Sequence, residues 1–167
     1  MKEINIGKAT EFTSPNPLTF ICSEKPDGTT NIAPVSFVSY LSFNPPMVGF
    51  AMGKAAYTGE RVRETGKVII TVPGNSLREA VMSCGSSSGR NTNKVKKFGI
   101  KLTEVPGCSI KIPADTKLAL VAKLNQTVET GNHYLYICDV EQIYGDESKE
   151  AIFAWNGYAE AAPAQKK

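Results

Sequence analysis

A chain of 167 residues, 41% hydrophobic and 21% charged, has enough apolar material for one globular domain with its own core. A net charge of +3, spread along the chain, excludes nucleic acid and anionic membranes as partners that would explain its composition. The opening MKEINIGKATEF holds no apolar leader, and no run approaches the roughly 18 apolar residues of a membrane span, so a soluble, cytoplasmic protein is expected.

In chain order, the residues up to Asn16 are polar and interrupted by Ser14-Pro15 and Asn16-Pro17, which predicts a peripheral lead-in arm over 1–14. Leu18 to Ser23 reads as a short apolar strand. Lys25-Pro26-Asp27-Gly28 reads as a turn, with Pro presetting one dihedral and Asp-Gly accommodating the reversal. It feeds a strand from Thr29 to Tyr40, so the two should pair as a hairpin. Val35, Phe37, Val48, Phe50 and Met52 fall at alternating positions, and Asn44-Pro45-Pro46 marks the bend between them. Pro34 brings no amide proton to mid-strand, which places this segment at an edge, a bulge or an opening of the sheet.

Gly59 to Thr65 predicts a short helix closed by Gly66. Lys67 to Val72 is mostly β-branched and predicts a buried central strand. Asn75 is the expected cap of a helix through Met82, with Leu77, Val81 and Met82 on its inner face. A small polar loop, Cys84 to Asn91, leads to a basic turn from Asn93 to Phe98. Leu118, Leu120, Ala122 and Leu124 then alternate with period two, Glu129-Thr130-Gly131-Asn132 turns the chain, and His133 to Tyr144 returns as the partner of a long hairpin. Beyond Trp155, Ala161-Ala162-Pro163-Ala164 is expected to be disordered, in a peripheral tail over 160–167 that ends in a solvated Lys166-Lys167. Six or seven hairpin-connected strands with two or three short helices make a mainly β, α+β domain over 1–167, and strands in that number suggest a closed barrel.

Residues 31–58 have the chemistry of a ligand shelf, with a planar ring at one end and a phosphate at the other. Gly53-Lys54-Ala55-Ala56-Tyr57-Thr58 offers free amides beside a helix start, an ammonium and a hydroxyl, all favouring an anion. Ser86 to Arg90 adds hydroxyls, amides and a guanidinium suited to a bidentate phosphate grip. Read plainly, Lys54 is an exposed lysine, Thr58 a helix cap and 86–90 a surface loop. Gly49 to Lys54 is not a P-loop: one residue is missing between the glycines, and Ala55 stands where Ser or Thr would hold magnesium. Cys22, Cys84, Cys108 and Cys138 are scattered, with His133 the sole histidine, so neither a disulfide framework nor a metal site is expected. Cys84, near Arg90, is read as an inert small residue rather than a redox thiol.

The order Asn31-x-Ala33-Pro34-Val35-Ser36, Asn44-Pro45-Pro46, Lys54 with Tyr57-Thr58, and Cys84-Gly85-x-x-Ser88-Gly89-Arg90-Asn91-x-Asn93-Lys94 resembles the flavin reductase-like family of FMN-binding split barrels, closest to its flavoredoxin-type branch, from about Pro15 to Tyr158. The resemblance implies a split β-barrel, a homodimer with flavin near the subunit interface, and FMN as cofactor. It implies a cofactor-binding set of Asn31, Ala33, Pro34, Val35, Ser36, Ser39, Met52, Gly53, Lys54, Tyr57, Thr58, Ser88, Arg90 and Lys94. The backbone from Ala33 to Ser36 would address the pyrimidine edge of the ring, with Ser36 and Ser39 as added hydroxyl donors, unless both serines simply face water. His133 sits where the family has Gly-Asp-His, which makes it the one candidate catalytic side chain, near flavin or the partner subunit, although a lone histidine is more often structural or exposed. Asn91-Thr92-Asn93 departs from the branch's Asp-x-Asp. Phe37, Tyr40, Phe43 and Trp155 are expected to be largely core, with stacking on flavin or a dimer interface as the other reading.

The expected function is electron transfer by a flavoprotein, either as an NAD(P)H-dependent flavin reductase or as a flavoredoxin-type protein with a redox protein partner. The alternative is an electron carrier or flavin-binding protein without its own NAD(P)H turnover, and a structural barrel without flavin is the rival from another class. Chemistry at flavin N5 asks for no catalytic side chain, in keeping with the lack of a Ser-His-Asp or paired-carboxylate pattern. No G-x-G-x-x-G fingerprint is present, so a nicotinamide would lie across the open flavin face.

Overall fold

A computed structural model describes residues 1–164; Lys166 and Lys167, read above as a solvated end, lie outside them. The lead-in segment contains a helix, α1 (Ile6–Phe12), at whose start the Lys8 N–H donates to Asn5 Oδ1 at 2.8 Å. None of its residues is buried, which is why no apolar periodicity announced it and a plain arm was expected.

Strands β1 (Thr19–Glu24) and β2 (Thr30–Val35) form the expected hairpin. The single strand expected from Thr29 to Tyr40 is broken at Ser36 and Phe37, beyond which β3 (Val38–Phe43) pairs instead with β4 (Pro46–Gly53). Helix α2 (Tyr57–Thr65) ends at Gly66, and β5 (Lys67–Pro73) follows. After a 3-10 turn at Asn75–Leu77 come α3 (Arg78–Gly85), α4 (Lys94–Lys97), and a minimal ribbon of β6 (Leu102–Thr103) and β7 (Ile112–Pro113). The long hairpin is β8 (Thr116–Thr130) and β9 (His133–Gly145). A last ribbon pairs β10 (Ile152–Trp155) with β11 (Glu160–Pro163).

Seven strands join in the order β2-β1-β5-β8-β9-β4-β3. The two outermost strands, β2 and β3, are consecutive in the chain and only two residues apart, so one bent strand serves both margins and the sheet curls into a barrel split along that bend. Pro34 therefore stands at a sheet edge, with β1 as its only paired neighbour, as a residue without an amide proton requires. Two apolar cores follow from strand alternation. Ile21, Val48, Phe50, Ile70, Leu120 and Tyr136 fill the barrel, while Phe20, Cys22 and Ile69 point outward under Leu77, Val81 and Ile152. Burial on both faces explains the unbroken apolar runs of β1 and β5.

Four local expectations change. Asn75 caps no helix; its amide donates to Glu150 at 3.1 Å, and Asp115 takes the capping role by accepting from Ser76 N at 2.9 Å and Ser76 Oγ at 2.6 Å. Met82 is exposed rather than inward. The segment expected to be disordered from Ala161 is strand β11, fastened to β10 and by the Trp155 Nε1–H, which donates to the Ala162 carbonyl at 3.2 Å; small residues suffice there because the partner strand supplies the bulk. Phe37, Tyr40 and Phe43, expected as core, are exposed. Among the described residues no helix is long and apolar enough to cross a membrane.

Candidate functional site

The split of the barrel opens on a trough walled by β2, the end of β4, the start of α2 and the loop after α3. Two clefts make it up, of about 440 and 580 Å³. They share Pro34, Met52, Gly85 and Ser86 as walls, so they are one continuous depression. Its volume lies in the range of small-molecule and cofactor sites.

The smaller cleft is the polar end. Thr58, the Gly85–Gly89 loop and Lys94 line it, with Ala56 and Tyr57 bringing the N-terminus of α2 to the same place. Thr58 is not the helix cap; Ala56 occupies that position, with no side-chain cap. Asn31, only 3% exposed beneath the cleft, donates through Nδ2 to Thr58 Oγ1 at 2.8 Å and to Ser23 Oγ at 3.2 Å. A β-carbon at position 89 would overlap Asn31 Oδ1, so glycine lets the loop close down on this pair. Lys94 is 5% exposed, and its Nζ donates to the Cys84 carbonyl at 2.8 Å. Among the described residues no carboxylate pairs with it. Burial pushes its pKa down, opposed by the neighbouring Cys84 thiol. Burial also pushes the Cys84 thiol up to about 11, with Lys94 pulling the other way, so the thiol is protonated at neutral pH, consistent with the inert reading.

The larger cleft is apolar. Val35, Ser36, Met52 and Gly53 line it together with Leu18, Val81 and Ala154. Strand β2 has a paired neighbour on one flank only, so alternate backbone groups between Ala33 and Val35 are left for a ligand. His133 and Phe37 reach the rim with ring centroids 5.6 Å apart, and His133 Nδ1 lies 2.7 Å from Asn132 Oδ1. In register, Gly53 faces His133 across β4 and β9.

Of the expected residues, the trough gathers Ala33, Pro34, Val35, Ser36, Met52, Gly53, Tyr57, Thr58, Ser88, Lys94 and His133, with Asn31 supporting from below. Three stand apart from its walls. Lys54 pairs with Glu129. Ser39 lies on β3, where its hydroxyl donates to the Tyr40 carbonyl at 3.1 Å beside a different cleft. The Arg90 guanidinium is spread over the Tyr57 ring, 5.1 Å from its centroid, and binds both oxygens of Glu60 at 3.2 and 2.6 Å. Its fork is thus taken by a carboxylate, and Arg90 holds that carboxyl below its usual range. Asn93, at the departure from Asp-x-Asp, caps α4 by accepting from Lys96 N at 3.0 Å. Tyr158 and Glu60 were not expected at the site, and no local pattern marks either; both arrive by tertiary packing.

Residues 12–162 match the family described as "Flavin reductase like domain". A protein of Archaeoglobus fulgidus is 32% identical over 130 residues, covering 76% of this chain and 70% of its own length; the chain spans 58% and 61% of two further relatives. The flavoredoxin of Desulfovibrio vulgaris (Miyazaki F) has the same fold, with a TM-score of 0.84 at 20% identity over 100% of this chain and 95% of its own. So does an FMN-binding protein from Thermus thermophilus, with a TM-score of 0.83 at 16% identity over 100% and 96%.

Proposed function

The chain belongs to the flavin reductase-like family, and from that premise we propose that it is an FMN-binding flavoprotein that passes electrons from NAD(P)H to a bound acceptor. The observation that carries the reading is Lys94, a buried ammonium in a cleft wall with no acidic partner among the described residues. A buried charge without a counter-charge is costly, and a phosphate would supply one. The N-terminus of α2 and the hydroxyls of Thr58 and Ser88 favour the same ligand. The residues therefore fit a phosphate-bearing flavin: FMN with its phosphate at this end and its ring against β2.

When bound, the flavin supplies hydride and electron transfer at N5. The chain's own part is to hold and tune. Asn31 donates to the Thr58 oxygen, which leaves the Thr58 proton to donate to a phosphate oxygen. Lys94 would neutralise the phosphate, and the backbone at the free edge of β2, around Pro34 to Ser36, would address the pyrimidine edge of the ring. The apolar lining of Leu18, Val81 and Ala154 would keep water from a bound ring. The open side of the trough would admit a nicotinamide without a dinucleotide-binding domain.

A homodimer is part of the proposal. Strand β3 has β4 as its only paired neighbour and exposes Tyr40 at 64% and Phe43 at 94%, an apolar edge suited to a second copy. A redox protein is the partner proposed for onward electron transfer.

Titration of flavin-free protein with FMN, FAD and riboflavin, followed by absorbance and fluorescence, tests the reading. FMN-preferring binding with a perturbed flavin spectrum is expected, followed by anaerobic bleaching with NADH or NADPH. No binding of any flavin would overturn it; binding without bleaching would leave an electron carrier.

A further inference from the structure

The turn between β10 and β11 holds three consecutive left-handed residues, Asn156, Gly157 and Tyr158, at φ 52°, 65° and 72°. Glycine takes this region freely, but a bulky aromatic residue does so only when its surroundings impose it, and such positions gather at functional sites. Here α1 imposes it. Gly157 lies so close to that helix that a β-carbon would meet Glu11 Cγ at 3.0 Å and Thr10 Oγ1 at 3.1 Å. Asn16 ties the two together: its N–H donates to the Ala154 carbonyl at 2.7 Å, its carbonyl accepts from Ala154 N at 3.0 Å, and its Nδ2 donates to the Thr10 carbonyl at 2.8 Å. A helix without buried side chains thus braces a strained turn.

The strain delivers Tyr158 to the wall of the apolar cleft. Its ring stands at 72° to Phe37, with centroids 5.8 Å apart, so the two rings form a corner. A planar ligand lying parallel to Phe37 turns its rim toward Tyr158. The Tyr158 hydroxyl has no hydrogen-bond partner among the described residues and is not a sealed atom, on a residue that lines the cleft. Burial raises the phenol's pKa, so it stays protonated and able to donate. Glu160 on the same wall disfavours an anionic ligand, leaving a neutral oxygen as the fitting acceptor.

We propose that Tyr158 is a substrate-selecting residue, which donates a hydrogen bond to the carbonyl oxygen of a neutral planar ring compound laid against Phe37. The proposal rests on the flavin reading for its place in a reaction, though its test does not. Benzamide, which has the ring and the oxygen, and toluene, which has the ring alone, are titrated by ligand-observed NMR against the whole chain, with and without FMN. Tyr158→Phe keeps the packing and removes the donor. It is expected to weaken benzamide binding about five- to tenfold, the size of one hydrogen bond, with toluene and FMN binding unchanged.

Gly157→Val, which presses on α1, is expected to weaken benzamide binding likewise. Unchanged benzamide binding in Tyr158→Phe, equal losses for benzamide and toluene, or no benzamide binding by the wild type with or without FMN, would overturn the proposal. If FMN does not bind at all, the flavin reading fails, and the titration of the flavin-free protein still decides the role of Tyr158.

Discussion

Asn31 Nδ2 donates to Thr58 Oγ1 at 2.8 Å across 27 residues of sequence, which fixes the direction in which the threonine proton can point. Thr58→Ala should weaken FMN binding by about 1.5–3 kcal/mol, the range for a hydrogen bond to a charged group, and leave riboflavin binding nearly unchanged. Asn31→Asp should cost more, because the new carboxylate accepts the threonine proton and adds negative charge beneath the phosphate. Fluorescence titrations check both; equal losses for FMN and riboflavin would reduce the pair to a structural contact.

Lys94→Met should act in opposite directions on two measurements. Without flavin the variant should match or exceed the wild type in denaturant unfolding, since a buried, unpaired ammonium is replaced by apolar volume. With FMN it should bind more weakly. The lowered folded-state pKa of Lys94 means that the unfolded chain binds more protons between that value and the ordinary 10.5, so this group's contribution to stability rises with pH through that window. The difference in stability between variant and wild type should therefore shrink as pH rises toward 10.5. A difference independent of pH would place the ammonium in water.

Burial pushes the thiols of Cys22 and Cys138 up to about 12, and that of Cys84 to about 11. For a group raised in the folded state, stability is fully present below the unfolded value near 9 and is lost as pH climbs toward the folded value. Alkaline unfolding should begin above about pH 9 and be delayed by Cys22→Ala only if the cavity it leaves costs less than the thiolate. At pH 8 a thiol reagent should modify Cys108, which is half-buried, well before the other three. Fast modification of Cys84 would contradict its burial.

Phe43→Lys together with Tyr40→Lys should convert a dimer to a monomer in sedimentation, because both side chains are exposed on the free edge of β3 and a charge there opposes strand pairing. A monomeric wild type at micromolar concentration would sink the proposed assembly.

Much of the barrel was legible because its signals are local. The alternation in β8, the β-branched run of β5 and the Asp-Gly turn each declare themselves within ten residues, and Pro34 correctly marked an edge. What sequence could not give are decisions made between distant residues. Asp115 displaced Asn75 as a cap from 40 positions away. Glu60 captured the Arg90 fork, so a guanidinium that suits phosphate by chemistry is occupied by geometry. Glu129 did the same to Lys54, leaving the less conspicuous Lys94 as the buried cation of the cleft wall. The tail misread as disorder shows the converse: Ala161 and Ala162 have little propensity of their own and are ordered by β10.

The two-residue passage from β2 to β3 leaves the barrel without an independent seam. To widen the trough on that side, Thr19 must part from Val35 and Val38 from Phe50 together, so the ring-side wall shares the cooperative unfolding of the core. The opposite wall, the loop after α3, is tied at its ends by the Lys94 bond to the Cys84 carbonyl and by the Glu60–Arg90 clamp. The trough thus has one stiff wall and one yielding wall, and ligand traffic is biased toward the phosphate side. In hydrogen exchange, amides of residues 85–91 should open far more often than those of Val35 and Val38, and a bound phosphate should quiet the first group and leave the second untouched.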